Sequence, residues 1–214
     1  MGLNQSKGNM YDFVTHTWNT VKGACFHDCS YCYMKRWGKL NPVRFDEKEL
    51  STDLGKGNFI FVGSSCDMWA EDIPDEWINK TIEHCLKFDN HYLLQSKNPY
   101  RFAEYTKHKN FSFCTTIETN RVYEDIMNKS PKTSVRAWNM PEDNYVTIEP
   151  IMDFDIERMT EIIKIAKPKQ VNIGADSGKH NLPEPSKEKV LNLIEELEKF
   201  TTVKLKKNIN RIII

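Results

Sequence analysis

Cys25, Cys29 and Cys32 fall within eight positions of the stretch GACFHDCSYCY, and no fourth cysteine follows nearby. Thiols separated by three and then two residues can be turned toward one centre, and thiolates are ligands for soft or borderline metals. A structural zinc site is closed by four side chains, and a zinc ribbon repeats its Cys-x-x-Cys pair roughly fifteen to twenty residues later. No second pair appears in this chain. His27 would complete a Cys3His set only if the backbone on either side of it turned very tightly around one ion. Iron–sulfur clusters are also held by thiolates, and an electron-transfer cubane uses four of them. Three would leave one iron open to a small molecule, so an incomplete ligand set on a cluster is a binding site. Cys66, Cys85 and Cys114 are scattered.

The rest of the composition bounds what such a centre could belong to. A chain of 214 residues buries a substantial core as one domain, 1–214, without disulfide staples. The first residues lack the basic-then-apolar order of a secretory signal, and no apolar run approaches the ~20 residues that span a bilayer. A cytoplasmic protein with no membrane partner is expected, and in that compartment clustered thiols serve as ligands or catalytic groups. Thirty basic and thirty acidic residues cancel, so no overall field gathers phosphate backbones. A nucleic-acid partner is permitted but not indicated by charge; the local run Lys204, Lys206 and Lys207 reads as a solvated face.

The elements that must position the thiols alternate. Short runs rich in β-branched and aromatic residues predict strands around Thr17–Lys22 and from Asn58, His91, Phe111, Asn144 and Gln170, with a last short strand near Val203–Ile209. Between them, apolar residues at helical spacing predict helices: Ile156, Met159, Ile162, Ile163 and Ala166 in one, Val190, Leu191, Ile194 and Leu197 in another. Further helices are expected around Glu47–Leu54, from Pro74, from Asn98 and from Arg121. Such βα repetition implies α/β architecture with parallel strands. Six units are too few for a closed eight-fold barrel, so a partial (β/α)6 TIM-like barrel is expected, with a doubly wound sheet as the competing arrangement. Either places ligands at the carboxyl ends of the strands, where the cysteine loop, Gly63–Cys66, Glu118, Glu149 and Asp176 all fall.

Cys25-x3-Cys29-x2-Cys32 on the loop after the first strand resembles the signature of the radical S-adenosylmethionine (SAM) superfamily, with Tyr31 the aromatic residue that pattern prefers before its last cysteine. Further segments, from TWNTVKGAC through VNIGADSGKH, look like a compact phage and bacterial group within it, distantly similar to spore photoproduct lyase. The likeness covers about residues 17–210. It implies a [4Fe-4S] cluster on Cys25, Cys29 and Cys32, with SAM chelating the fourth iron, an unidentified substrate that is a nucleobase, nucleoside or modified DNA or a small metabolite, and an external reductant such as flavodoxin or ferredoxin.

The resemblance also implies roles beyond the cysteines. Gly63, Ser64 and Ser65 stand where the family places a Gly-Gly-Glu edge that receives the methionine amino group; backbone carbonyls can still accept from an ammonium. Glu118 is expected at the ribose hydroxyls, with Thr116 on the same strand face. Glu149 is expected to touch SAM or substrate, and Asp176 to orient polar groups beside Gly174, whose small size would let a ring approach. Cys66 is a candidate hydrogen-atom donor by functional parallel alone, since the positions do not correspond by motif. Two other classes stay open: a non-catalytic iron–sulfur electron carrier and a zinc-stabilised binding module.

Overall fold

The computed structural model describes residues 2–214. Its strands are β1 (Asn4–Gln5), β2 (His16–Trp18), β3 (Val21–Lys22), β4 (Arg44–Phe45), β5 (Phe59–Val62), β6 (His91–Gln95), β7 (Phe111–Thr116), β8 (Asn144–Ile148), β9 (Pro168–Ile173) and β10 (Thr202–Leu205). Eight of them form one open sheet in the order β1-β2-β5-β6-β7-β8-β9-β10. Only β1 runs antiparallel, at the edge beside β2; every other neighbouring pair is parallel. The expected first strand divides. After Trp18 the chain leaves the sheet, and Val21–Lys22 pairs with Arg44–Phe45 in a separate two-stranded ribbon.

The helices are α1 (Asp75–Cys85), α2 (Glu124–Met127), α3 (Thr133–Trp138), α4 (Ile156–Ala166), α5 (Lys187–Glu198) and α6 (Asn210–Ile213). Ser186 caps α5, its hydroxyl accepting from the Lys189 amide at 3.3 Å. In α4 Met159, Ile163 and Ala166 are buried, as the spacing requires, whereas in α5 Leu193 rather than Leu191 joins Val190 and Leu197 in the core. Two expected helices are 3-10 segments instead, Glu47–Ser51 and Pro99–Tyr105. In the second the tighter period has a cause: residues three apart eclipse in a 3-10 helix, which puts Phe102 and Tyr105 in line, both edge-on to the Trp69 ring at 5.0 and 5.1 Å.

Side chains alternate across each strand. One face presents Ile60, Val62, Tyr92, Leu94 and Phe113 to α1 and the Pro99–Tyr105 segment, then Val146, Ile148, Val171 and Ile173 to α4 and α5. A doubly wound sheet would carry helices on the other face as well. Here the segment before β2 covers it: Tyr11 and Val14 are buried against Leu93 and Cys114, with Met10, Phe13, Phe59, Phe61 and Tyr145 around them. Phe13 stacks on Tyr145 at 4.8 Å and on Tyr11 at 5.6 Å, and it meets the Phe59 ring at 4.9 Å. This strap carries no regular period, so its packing role was not legible from the sequence pattern. Among the described residues no helix is long and apolar enough to cross a membrane.

Because Tyr11 fills the strap's core and donates to Gln95 Oε1 at 2.8 Å, its substitutions separate packing from bonding. Tyr11→Ala is expected to lower the unfolding free energy by about 3 kcal/mol and Tyr11→Phe by about 1 kcal/mol, read by urea denaturation. Equal, negligible losses would show that the strap does not contribute to the fold.

Candidate functional site

The cysteine loop is shaped by glycine at its root. Gly23 has φ +115°, and a Cβ there would lie 2.5 Å from the Pro42 carbonyl oxygen, a position closed to any other residue. Successive turns follow, with Asp28 N donating to Cys25 O, Cys32 N to Cys29 O and Lys35 N to Cys32 O at 2.9–3.1 Å. The loop then leans on the region of α2: Ser30 N donates to Ile126 O at 2.9 Å, Lys129 N to His27 O at 3.2 Å, and Asn128 Nδ2 to Asp28 O at 2.9 Å. These contacts tie the motif to residues about a hundred positions later.

All six cysteines are free thiols. Cys29 is buried, its sulfur 3.2 Å from Ser130 Oγ, while Cys25 and Cys32 are half-buried. A hydrogen bond from Cys66 lowers the Cys25 thiol, against burial and the Asp67 charge; the Cys66 thiol is correspondingly raised. Burial raises Cys32. Among the described residues no three His, Cys, Asp or Glu side chains converge closely enough to enclose one ion. A cubane holds its thiolates further apart than a single ion does, and three soft donors on consecutive turns, one already shifted toward thiolate, fit such a group by their chemistry.

Glu118, two residues past the end of β7, is fully buried. Its Oε1 accepts from the Tyr31 hydroxyl and lies 3.2 Å from Lys97 Nζ; its Oε2 accepts from Arg136 Nη1 at 2.8 Å. Arg136, also fully buried, donates further to Thr116 O at 2.8 Å and Pro131 O at 2.7 Å. Lys97 stands 5.3 Å over the Tyr31 ring. Burial would push the Glu118 carboxyl up, but the two cations and the phenol outweigh it and hold it at about 2. Both oxygens of the expected ribose ligand are thus engaged by side chains, one of them from the cysteine loop itself.

A second bracket sits beside it. His27 Nε2 meets Asp67 Oδ2 at 2.9 Å, and Asp67 also accepts from Ser96 Oγ, Lys97 N and Trp69 N at 2.9–3.0 Å. At the end of β5, Gly63 takes φ +82°, Asn19 Oδ1 accepts from Ser64 Oγ and Ser65 N, and the Ser64 carbonyl accepts from the Tyr33 hydroxyl at 2.8 Å. Cys66 is buried against Cys25.

The remaining expected residues form another group. Glu149 accepts from Asn9 Nδ2 at 2.6 Å and Asn208 Nδ2 at 2.8 Å, and pairs with Lys206. What approaches Gly174 closely is this same carboxylate: a Cβ on Gly174 would lie 2.7 Å from Glu149 Oε1. Asp176 accepts from Gly178 N, His180 N and His180 Nδ1. Thr116 is buried and accepts from Gln95 Nε2 at 3.2 Å. Tyr11 joins the two groups, bonding Gln95 with its hydroxyl while Lys206 lies 4.7 Å over its ring.

Sequence reasoning missed Lys97, Arg136, His27–Asp67, His180 and the Asn9–Lys206–Asn208 cradle of Glu149. Lys97, Asp67 and His180 did carry a signal, since each follows a predicted strand on the same rim. No protein-family profile, curated protein or solved structure matches this chain.

Glu118 contributes about 3 kcal/mol through its depressed carboxyl. That contribution is complete above its ordinary value of 4.5 and is lost as pH falls toward 2. Urea unfolding at pH 6 and pH 3 is expected to show the loss in the native protein and a smaller one in Glu118→Gln; identical pH slopes would refute the assignment.

Proposed function

We propose that this chain is a radical SAM enzyme whose cluster ligands are Cys25, Cys29 and Cys32. The observation that carries the reading is the set of three unpaired thiols on consecutive turns of one loop, at the carboxyl end of a parallel sheet. In this reading the open sheet is a partial (β/α)6 barrel, and the residues at its rim would hold SAM. Held by Cys25, Cys29 and Cys32, a [4Fe-4S] cluster given one electron by an external donor such as flavodoxin or ferredoxin would supply reductive cleavage of SAM to methionine and a 5′-deoxyadenosyl radical able to abstract hydrogen from a substrate carbon.

The chain's own part is positioning. Gly23 sets the loop's entry, Tyr31 fixes its far end to Glu118, and His27 fixes its middle to Asp67. The Gly63–Ser65 edge offers backbone carbonyls to the SAM ammonium, with the Ser64 carbonyl already satisfied by Tyr33. Glu149 and Asp176, held by Asn9, Lys206, Asn208 and His180, provide charged and polar groups for substrate or SAM, whether the substrate is a nucleobase, a nucleoside, modified DNA or a small metabolite. Cys66, buried against Cys25, is the thiol assigned to returning a hydrogen atom.

One observation favours a second reading, a non-catalytic iron–sulfur electron carrier: Cys66 sits against Cys25 and would supply a fourth thiolate. Anaerobic reconstitution decides between them. The enzyme reading expects about four irons and four sulfides per chain, 5′-deoxyadenosine from SAM under dithionite, loss of both in Cys29→Ala, and retention of the cluster in Cys66→Ala. A cluster that disappears in Cys66→Ala and never cleaves SAM would establish the carrier, and a colourless protein holding a single zinc would sink both.

A further inference from the structure

Beside the cysteine loop the buried charges do not cancel. Lys97 and Arg136 carry two positive charges and Glu118 one negative. Lys97 is 16% exposed, and neither Arg136 nor Glu118 has any exposure. Tyr31 adds no charge to the cluster, donating its hydroxyl proton to Glu118 Oε1. The neighbouring Asp67 carboxylate is engaged separately, by His27 Nε2, Ser96 Oγ and the Lys97 and Trp69 amides. The Lys35–Asp28 pair lies outward, at 40% and 61% exposure. Within the Lys97–Arg136–Glu118 cluster one positive charge is left over, and it stands beside the cysteine loop: Lys97 lies 5.3 Å over the ring of Tyr31, the residue next to Cys32.

We propose that the excess charge of the Lys97–Arg136–Glu118 cluster is an electrostatic device that eases one-electron reduction of the centre held by Cys25, Cys29 and Cys32. The inference rests on the cluster reading above. Three thiolates already concentrate negative charge in a partly buried place, and reduction adds one more. An unmatched cation in low dielectric, where water cannot screen it, favours the more negative state. Lys97 is the controlling member because its removal leaves Glu118 paired with Arg136 and Tyr31, so the fold's buried ion pair survives while the surplus charge vanishes. Lys97 is a positioning and tuning residue in this account, with no contact to substrate required.

The test compares anaerobically reconstituted wild type, Lys97→Met, Lys97→Arg and Glu118→Gln by redox titration followed through the electron paramagnetic resonance of the reduced centre. Lys97→Met is expected to disfavour reduction about tenfold, a shift of ~59 mV to more negative potential for a one-electron couple. Lys97→Arg should return close to wild type, and Glu118→Gln, which increases the surplus charge, should shift in the opposite direction. If Lys97→Met and Glu118→Gln merely lower cluster content while the remaining centre titrates as in wild type, or if both shift the same way, the proposal is overturned and the cluster reading stands. Loss of the cluster in both variants assigns these residues a structural role and also overturns it. Wild type that takes up no iron and sulfide removes the cluster reading itself, and this inference with it.

Discussion

A carboxylate removed from water must be matched by cations and hydrogen-bond donors or give up its charge. Glu118 keeps its charge because three elements converge on it: the cysteine loop through Tyr31, the end of β6 through Lys97, and α3 through Arg136. Removing the carboxylate would strand two cations beside a dry interior, so the three elements are held to one mutual arrangement. The loop that carries the thiols is therefore positioned by a hydrogen bond to a carboxylate at the sheet's rim as well as by its own turns. The His27–Asp67 contact repeats the device a few residues earlier, with Asp67 gripped by backbone amides from the ends of β5 and β6. Motif residues between the cysteines thus act as anchors, and the thiols ride on them.

The opposite half of the rim is organised by the strap. Sheets packed by helices on one face need some cover for the other, and here it is the stack of Tyr11, Phe13 and Tyr145. Its polar edge continues outward: Asn9 reaches Glu149, and Lys206 lies over Tyr11 while pairing with the same carboxylate. A single segment therefore closes an apolar surface and orients a charged group at its border. Glu149 and Gly174 illustrate the close fit, since only glycine leaves room for the carboxylate that crosses it.

Much of the framework was legible in the sequence, for physical reasons. Period-two and helical patterns arise from burial against a neighbouring layer, so the parallel strands, α1, α4 and α5 were readable. Where burial followed a different rule, reading failed. Pro99–Tyr105 has helix-like spacing but answers to the Trp69 ring with a tighter period. Leu191 fits a helical stripe that in fact runs through Leu193. Glu118 was expected at an open rim because a charged residue reads as solvated until its partners are known, and those partners lie 87, 21 and 18 positions away. The Asn9–Glu149 contact bridges 140 positions. Local patterns describe layers; they do not describe which distant side chain meets which.

The cysteine loop lies in the first sixth of the chain, yet its backbone is clasped by Ile126, Asn128 and Lys129. A ribosome making this protein exposes the three thiols long before their clasp exists. The nascent loop has only its own turns until well over half of the chain has emerged, so its finished geometry belongs to the completed polypeptide and not to its early synthesis.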